Sequence, residues 1–204
     1  MDCLIVFEDA PSEAILARLV ADYAPTLSIT ARFAARGFGN IKSGVPRFKN
    51  ASNATPHIVL TDLDQHVCAS ALLRDWNVLP LHKRMLFRIA VRELESWLLA
   101  DRIGIAAMLS VDTKKIPIEA DEIADPKRTL VNLGRRSKSR RFSAEFAPSP
   151  SSAAQIGPLY NDYLCRFIRS SWNIESARAN SPSLERCIVR LQGFIEQASE
   201  VEDS

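Results

Sequence analysis

The sequence predicts an α/β fold: a mostly parallel sheet flanked by helices, with a helical C-terminal extension. Three observations predict it. Short apolar runs rich in β-formers recur at residues 3–7 (CLIVF), 57–61 (HIVLT) and 85–91 (MLFRIAV). Segments with helical apolar spacing lie between them, and strands that alternate with helices build parallel sheets. Beyond about residue 102 the character shifts, and helical pieces and amphipathic helical patterns remain.

Taken in order, residues 3–7 form a buried strand that ends at Glu8-Asp9. Pro11-Ser12-Glu13 then opens a helix carrying Ile15, Leu16, Leu19 and Val20 on one side. Residues 26–33 alternate as a second strand. The stretch 36–44 (RGFGNIKSG) is glycine-rich and basic and reads as a loop, with a helix after it at about 44–54. Residues 57–61 form a strand ending at Asp62-Leu63-Asp64. Helical patterns at 66–76 and 92–101 flank the strand-like run 85–91. The segment 103–133 holds helical pieces broken by Pro117 and Pro126. Residues 158–172 and 182–198 read as amphipathic helices, the second with Leu184, Ile188, Leu191 and Ile195 at helical spacing. The expected organisation is an α/β domain over 1–133, a basic and then Pro/Ser-rich loop over 134–155, and a helical extension over 156–204 packed on the domain.

Composition narrows the class. The 204 residues are 47% hydrophobic and 25% charged, which suits a soluble globular chain rather than a disordered or fibrous one. A net charge of +2 excludes a polycation, so any nucleic-acid surface must come from local clusters of Lys and Arg. Cys3, Cys68, Cys165 and Cys187 form no CxxC pair; they read as small buried residues of a reducing compartment. The N-terminal run lacks the basic region and longer apolar core of a signal peptide, and no run is long enough to cross a bilayer. The expected location is cytoplasmic, without a membrane.

The acids at the strand ends carry the candidate chemistry. In open parallel sheets, sites form beyond the carboxyl ends of the strands. Glu8 follows one buried strand, and Asp62-x-Asp64 ends another. Carboxylates that converge there repel one another, and a divalent cation removes that cost. Hard oxygen ligands point to Mg²⁺ or Mn²⁺. The competing reading is that each acid caps a following helix; the combination of Glu8 with Asp62 and Asp64 favours metal, whereas Asp9 fits a cap or a solvated position. No Ser-His-Asp or Cys-His pattern supports acyl chemistry, and His57, His66 and His82 do not cluster.

This order of features, a strand ending in Glu, a helix, and a later strand ending in Asp-x-Asp, resembles the Toprim fold. The segment Glu95-Ser96-Trp97-Leu98-Leu99-Ala100-Asp101 looks like the E-x-W-L-L-A-D signature of the DUF4276 group, an uncharacterised Toprim-like family. Asp125-Pro126-Lys127 with Leu130 is similar to that group's downstream N/D-P-K-x-x-L element. The resemblance spans about residues 4–133, and Gly157-Pro158-Leu159-Tyr160 and Ser181-x-Ser183-Leu184 extend it. One departure is Asp9, where Toprim proteins usually carry Gly.

The resemblance implies a Mg²⁺-dependent phosphoryl-transfer protein, a nuclease acting on nucleic acid, with a setting in bacterial defence or mobile elements and an ATPase partner. Glu8, Asp62 and Asp64 would hold the metal, and Glu95 would complete the catalytic set. Were residues 92–101 one helix, Glu93 and Glu95 would face different directions, which leaves Glu93 to a surface ion pair. Candidate nucleic-acid contacts are Lys42, Lys127, and the run Arg135, Arg136, Lys138, Arg140 and Arg141. For Asp125 and Lys127, a helix start at Pro126 is the alternative. Two other functions stay open: a non-catalytic binding subunit of a partner ATPase complex, and a small-nucleotide phosphohydrolase.

Overall fold

The computed structural model describes residues 1–149 and 151–199. Residue 150 of the expected loop and residues 200–204 of the expected extension lie outside the described residues. The chain is an α/β protein with a parallel sheet flanked by helices and a helical C-terminal region. It divides into two compact units. One comprises Met1–Val91 with the segment from Arg186 onward, and the other Arg92–Glu185. The division falls after β4 and again inside the last helix.

The first unit holds β1 (Asp2–Phe7), α1 (Ala10–Tyr23), β2 (Ser28–Ala34), α2 (Phe38–Ala51), β3 (His57–Asp62), α3 (Ala69–Asp75) and β4 (Met85–Ala90). The strands run in the order β2-β1-β3-β4, and every neighbouring pair is parallel. Parallel strands need a crossover: α1 joins β1 to β2, α3 joins β3 to β4, and α2 carries the chain from β2 past β1 to β3. Ile5, Val6, Ile58, Val59 and Leu60 are buried, as expected for strands covered on both faces. Val6, Val59, Phe87 and Ile89 join Ile41, Val45 and Phe48 of α2 and Leu72 of α3 in one apolar cluster. Ile5, Ile58 and Leu60 alternate onto the opposite face, and α1 packs against β1 and β3. Each fully buried Ile or Leu contributes about 1.5–3 kcal/mol.

Two expectations are corrected here. The stretch 36–44 is not a loop: α2 begins at Phe38, after Gly37 at φ 119°. Ile41, Val45 and Phe48 form a buried stripe, and that burial outweighs the cost of about 1 kcal/mol for each helical glycine. Gly44 is required for packing, since a Cβ there would lie 2.6 Å from the Phe48 ring. The second correction concerns cysteine. Cys3, Cys165 and Cys187 are buried, but Cys68 is exposed. Burial pushes the Cys3 thiol up to about 11.

The second unit is helical: α4 (Leu94–Ala100), α5 (Arg102–Leu109), α6 (Pro126–Gly134), α7 (Arg140–Phe146), α8 (Tyr160–Ser170) and α9 (Ile174–Asn180), with the start of α10 (Pro182–Ser199). All seven residues of α4 are buried. It packs against α5, α6, α9 and a 3₁₀ turn at Ala120–Glu122. Trp97 donates from Nε1 to Ser183 Oγ at 2.7 Å, and Asp121 accepts from the Ser183 amide at 2.7 Å and from Ser181 Oγ at 2.6 Å. Asp101 accepts from the amides of Gly104 (3.1 Å) and Asn173 (2.9 Å), tying together the starts of α5 and α9. Helix α7 occupies part of the segment expected to be a loop. Ser139 caps it, and its apolar residues Phe142 and Phe146 stack on each other and pack on Tyr163.

Candidate functional site

Glu8 and the backbone amide of Asp62 meet at the carboxyl edge of the sheet. Strands β1 and β3 are parallel neighbours, with Val6 opposite Val59. Continuing that register sets Glu8 level with Thr61. The Thr61 hydroxyl donates to Glu8 Oε1 at 2.7 Å, and the Asp62 amide points at the same oxygen from 3.4 Å. Thr61 is 1% exposed, whereas Glu8 and Asp62 are half-buried. The sheet holds the surrounding backbone on both sides. The Arg36 amide donates to the Glu8 carbonyl at 3.1 Å, and the Leu63 amide to the Ala90 carbonyl at 2.9 Å. Asp64 follows in the left-handed region, at φ 48°, which Asp tolerates better than most side chains. Gln65 Nε2 lies 3.4 Å from its Oδ1.

Among the described residues, no three His, Cys, Asp or Glu side chains gather into a group that could hold a metal ion. What the sheet joins is the pair Glu8 and Asp62, with Asp64 two residues further on. Mg²⁺ is commonly bound through one or two carboxylates plus the phosphates of its substrate. The residues at this edge that could hold such a cation are Glu8 and Asp62, with Asp64 two residues on.

Asp9 has a defined task. It caps α1, accepting from the Ser12 amide at 3.0 Å, while Ser12 closes the reciprocal half of the capping box. The residue that departs from the usual Gly is thus the N-cap of the helix behind the site.

Glu95 belongs to the second unit and Glu8, Asp62 and Asp64 to the first. Glu95 is 2% exposed and accepts from the Tyr160 hydroxyl at 3.1 Å. Lys127 Nζ lies 3.7 Å from Glu95 and 3.8 Å from Glu93. The Lys127 amide also donates to Glu93 Oε2 at 2.9 Å. Both acids therefore converge on one ammonium, against the expectation that they diverge. The reason is local: Glu93 is the extended N-cap of α4 (φ −135°, ψ 159°), outside the helix whose periodicity would separate them. Asp125 caps α6, accepting from the Arg128 amide at 2.8 Å, with Pro126 in the first turn.

The other basic candidates are dispersed. Lys42 pairs with Asp75 at 2.8 Å, which with His66 holds the Asp75 carboxyl below the ordinary aspartate range. Arg135, Arg136, Lys138, Arg140 and Arg141 are exposed along the connection from α6 into α7. Arg141 pairs with Glu145 one turn on, at 2.9 Å.

Sequence reasoning missed Thr61, Asp121 and Tyr160 as partners of the signature residues. Thr61 stands directly before Asp62, and Tyr160 ends the Gly-Pro-Leu-Tyr element, so adjacency to a motif was the available signal.

The fold and these contacts define an α/β protein with acids at the carboxyl edge of a parallel sheet. No family profile, no curated protein and no solved structure matches the chain. Among the described residues no helix is long and apolar enough to cross a membrane.

Proposed function

We propose that the chain is a Toprim-like, Mg²⁺- or Mn²⁺-dependent phosphoryl-transfer protein, a nuclease acting on nucleic acid. The observation that supports this most is the junction of Glu8 with Thr61 and Asp62 across neighbouring parallel strands. A bound cation would neutralise phosphate charge and activate water there. Glu8 and Asp62 would hold it, with Asp64 beside them. The Thr61 hydroxyl fixes one oxygen of Glu8, so the carboxylate meets a substrate pre-oriented as base or ligand. Glu95 enters as the fourth acid on the resemblance of its Glu-x-Trp segment. The exposed run Arg135, Arg136, Lys138 and Arg140 supports a backbone-phosphate contact. The defence setting and the ATPase partner remain implications of the resemblance, and the cytoplasmic location rests on the sequence alone.

A second reading is a non-catalytic binding subunit of an ATPase complex. Two features favour it: Glu8 serves as a structural tie between strands, and no three-acid group forms among the described residues. One pair of measurements separates the readings. Substituting Asp62→Ala with Asp64→Ala abolishes Mn²⁺-dependent cleavage of an oligonucleotide and calorimetric Mn²⁺ binding if the first is right. Cleavage retained by the double variant sinks the site assignment, and a wild-type chain with neither activity favours the second.

A further inference from the structure

A groove of about 370 Å³ opens between the end of β2 and α2, lined by Phe33, Ala35, Asn40, Ser43, Gly44 and Arg47. Its volume falls within the range of small-ligand sites. The geometry has a simple origin. Residues 40, 43, 44 and 47 share one face of α2 at i, i+3, i+4 and i+7 spacing, while Ile41, Val45 and Phe48 are buried. Ser43 and Gly44 are too small to fill the space facing Phe33. The Arg47 guanidinium stands 4.7 Å from the Phe33 ring centre and 5.2 Å from that of Phe48. Among the described residues it makes no ion pair or hydrogen bond, and no acid lines the groove. A guanidinium held on two rings keeps its N–H donors for an anion.

The groove also has a fixed relation to Glu8. It lies at the carboxyl end of β2, the neighbour of β1, where the Ala35 and Arg36 amides donate to the Phe7 and Glu8 carbonyls. Neighbouring strands lie about 4.8 Å apart. Phe33 of β2 and Ala35 just after it, which line the groove, are therefore one strand away from the end of β1 that Glu8 follows.

We infer that this groove is a subsite for one nucleotide unit of a single-stranded nucleic acid, with Arg47 binding its phosphate and the Phe33 wall its base. The inference rests on the nuclease reading and supplies its substrate class. Cations that track the backbone beside aromatic faces are the usual means of binding single strands without sequence preference.

The test is fluorescence anisotropy on the full chain, without divalent cation, using a labelled single-stranded oligonucleotide. Arg47→Gln removes the charge at similar size, and Ser43→Trp fills the groove and leaves the charge. Thermal melting checks that each variant is folded. Both should weaken binding about fivefold or more, the loss of one stacked base or phosphate contact. Affinities within twofold of wild type in both folded variants overturn the subsite, as does a wild-type chain that binds no strand. Competition by a mononucleotide as strong as by the oligonucleotide, with a shallow salt dependence, overturns the single-strand occupant in favour of a nucleotide pocket. Asp62-dependent cleavage is scored separately: if it persists while Arg47 proves irrelevant, the nuclease reading stands and the subsite alone fails.

Discussion

The Thr61 hydroxyl donates to Glu8 Oε1 at 2.7 Å, linking the ends of two parallel strands that are 53 residues apart in sequence. This bond explains why a carboxylate at the end of a buried strand is held in one orientation. Substituting Thr61→Val keeps the β-branched shape and removes the donor. A hydrogen bond to a charged group contributes about 1.5–3 kcal/mol, and the half-exposed Glu8 places the loss toward the lower end. Urea denaturation should show a destabilisation of about 1–2 kcal/mol. Thr61→Ser should recover most of it. Equal stabilities for the valine and wild-type chains would refute the link.

The capping role of Asp9 leads to a second expectation. Replacing an aspartate N-cap by alanine costs about 1 kcal/mol, whereas glycine costs only a few tenths. Asp9→Gly should therefore leave stability nearly unchanged, while Asp9→Ala lowers it. Thermal melting checks both. If Asp9 narrows the approach of a phosphate, the glycine variant also cleaves faster than wild type.

Much of the sheet was legible because buried parallel strands write themselves as apolar runs: residues 3–7, 57–61 and 85–91 each match an observed strand within a residue or so. Two places defeated the same logic. Around 36–44, glycine signals a loop only when nothing packs nearby, and the burial of Ile41, Val45 and Phe48 decided for helix. The helical pattern over 92–101 starts two residues before the observed α4 and so takes in Glu93. This turned an N-cap into a helical position and separated two acids that the structure brings to Lys127. The places of Glu8 and Asp62 at the carboxyl ends of β1 and β3 were legible from the apolar runs before them. Tyr160 lies 65 residues from Glu95, and its place in the Gly-Pro-Leu-Tyr element was the one hint of the contact.

The Glu93–Lys127–Glu95 cluster gives a third prediction. Glu95 is almost fully buried, and Lys127 is about one-third exposed. Lys127→Met leaves the buried carboxylate without its nearest cation. Breaking fully buried pairs costs about 3–5 kcal/mol. The exposure of Lys127 reduces this to about 1–3 kcal/mol once solvent screening is counted. Adding Glu95→Gln removes the stranded charge, so the double variant should be more stable than the sum of the single losses predicts. Additive losses in a double-mutant cycle would show that the two side chains do not interact.

Asp75 supplies the pH dependence. Its hydrogen bond from Lys42, then that from His66, hold its carboxyl below the ordinary aspartate range. A depressed folded pKa means that the pair stabilises above the unfolded aspartate pKa, and the contribution disappears as pH falls through the folded one. Lys42→Met should raise the Asp75 titration midpoint, read by carboxyl NMR. The stability difference from wild type, small because both groups are exposed, should be present at neutral pH and vanish in acid. A midpoint unmoved by the substitution would show that Lys42 and Asp75 are not paired in solution.

The exposed cations between α6 and α7 bear on the polyanion reading itself. Each phosphate neutralised on a single strand contributes about −0.7 to the slope of log affinity against log salt. Arg135, Arg136, Lys138 and Arg140 are exposed, and Arg141 is partly committed to Glu145. Neutralising the first four together should therefore flatten the slope by up to about 3 if every one meets a phosphate. Neutralising Arg141 alone should change it least. Binding of an oligonucleotide across a salt series measures both. A slope unchanged in the fourfold variant would mean that this basic connection is a solvated surface, and that any strand follows the sheet edge at Arg47 and Glu8 instead.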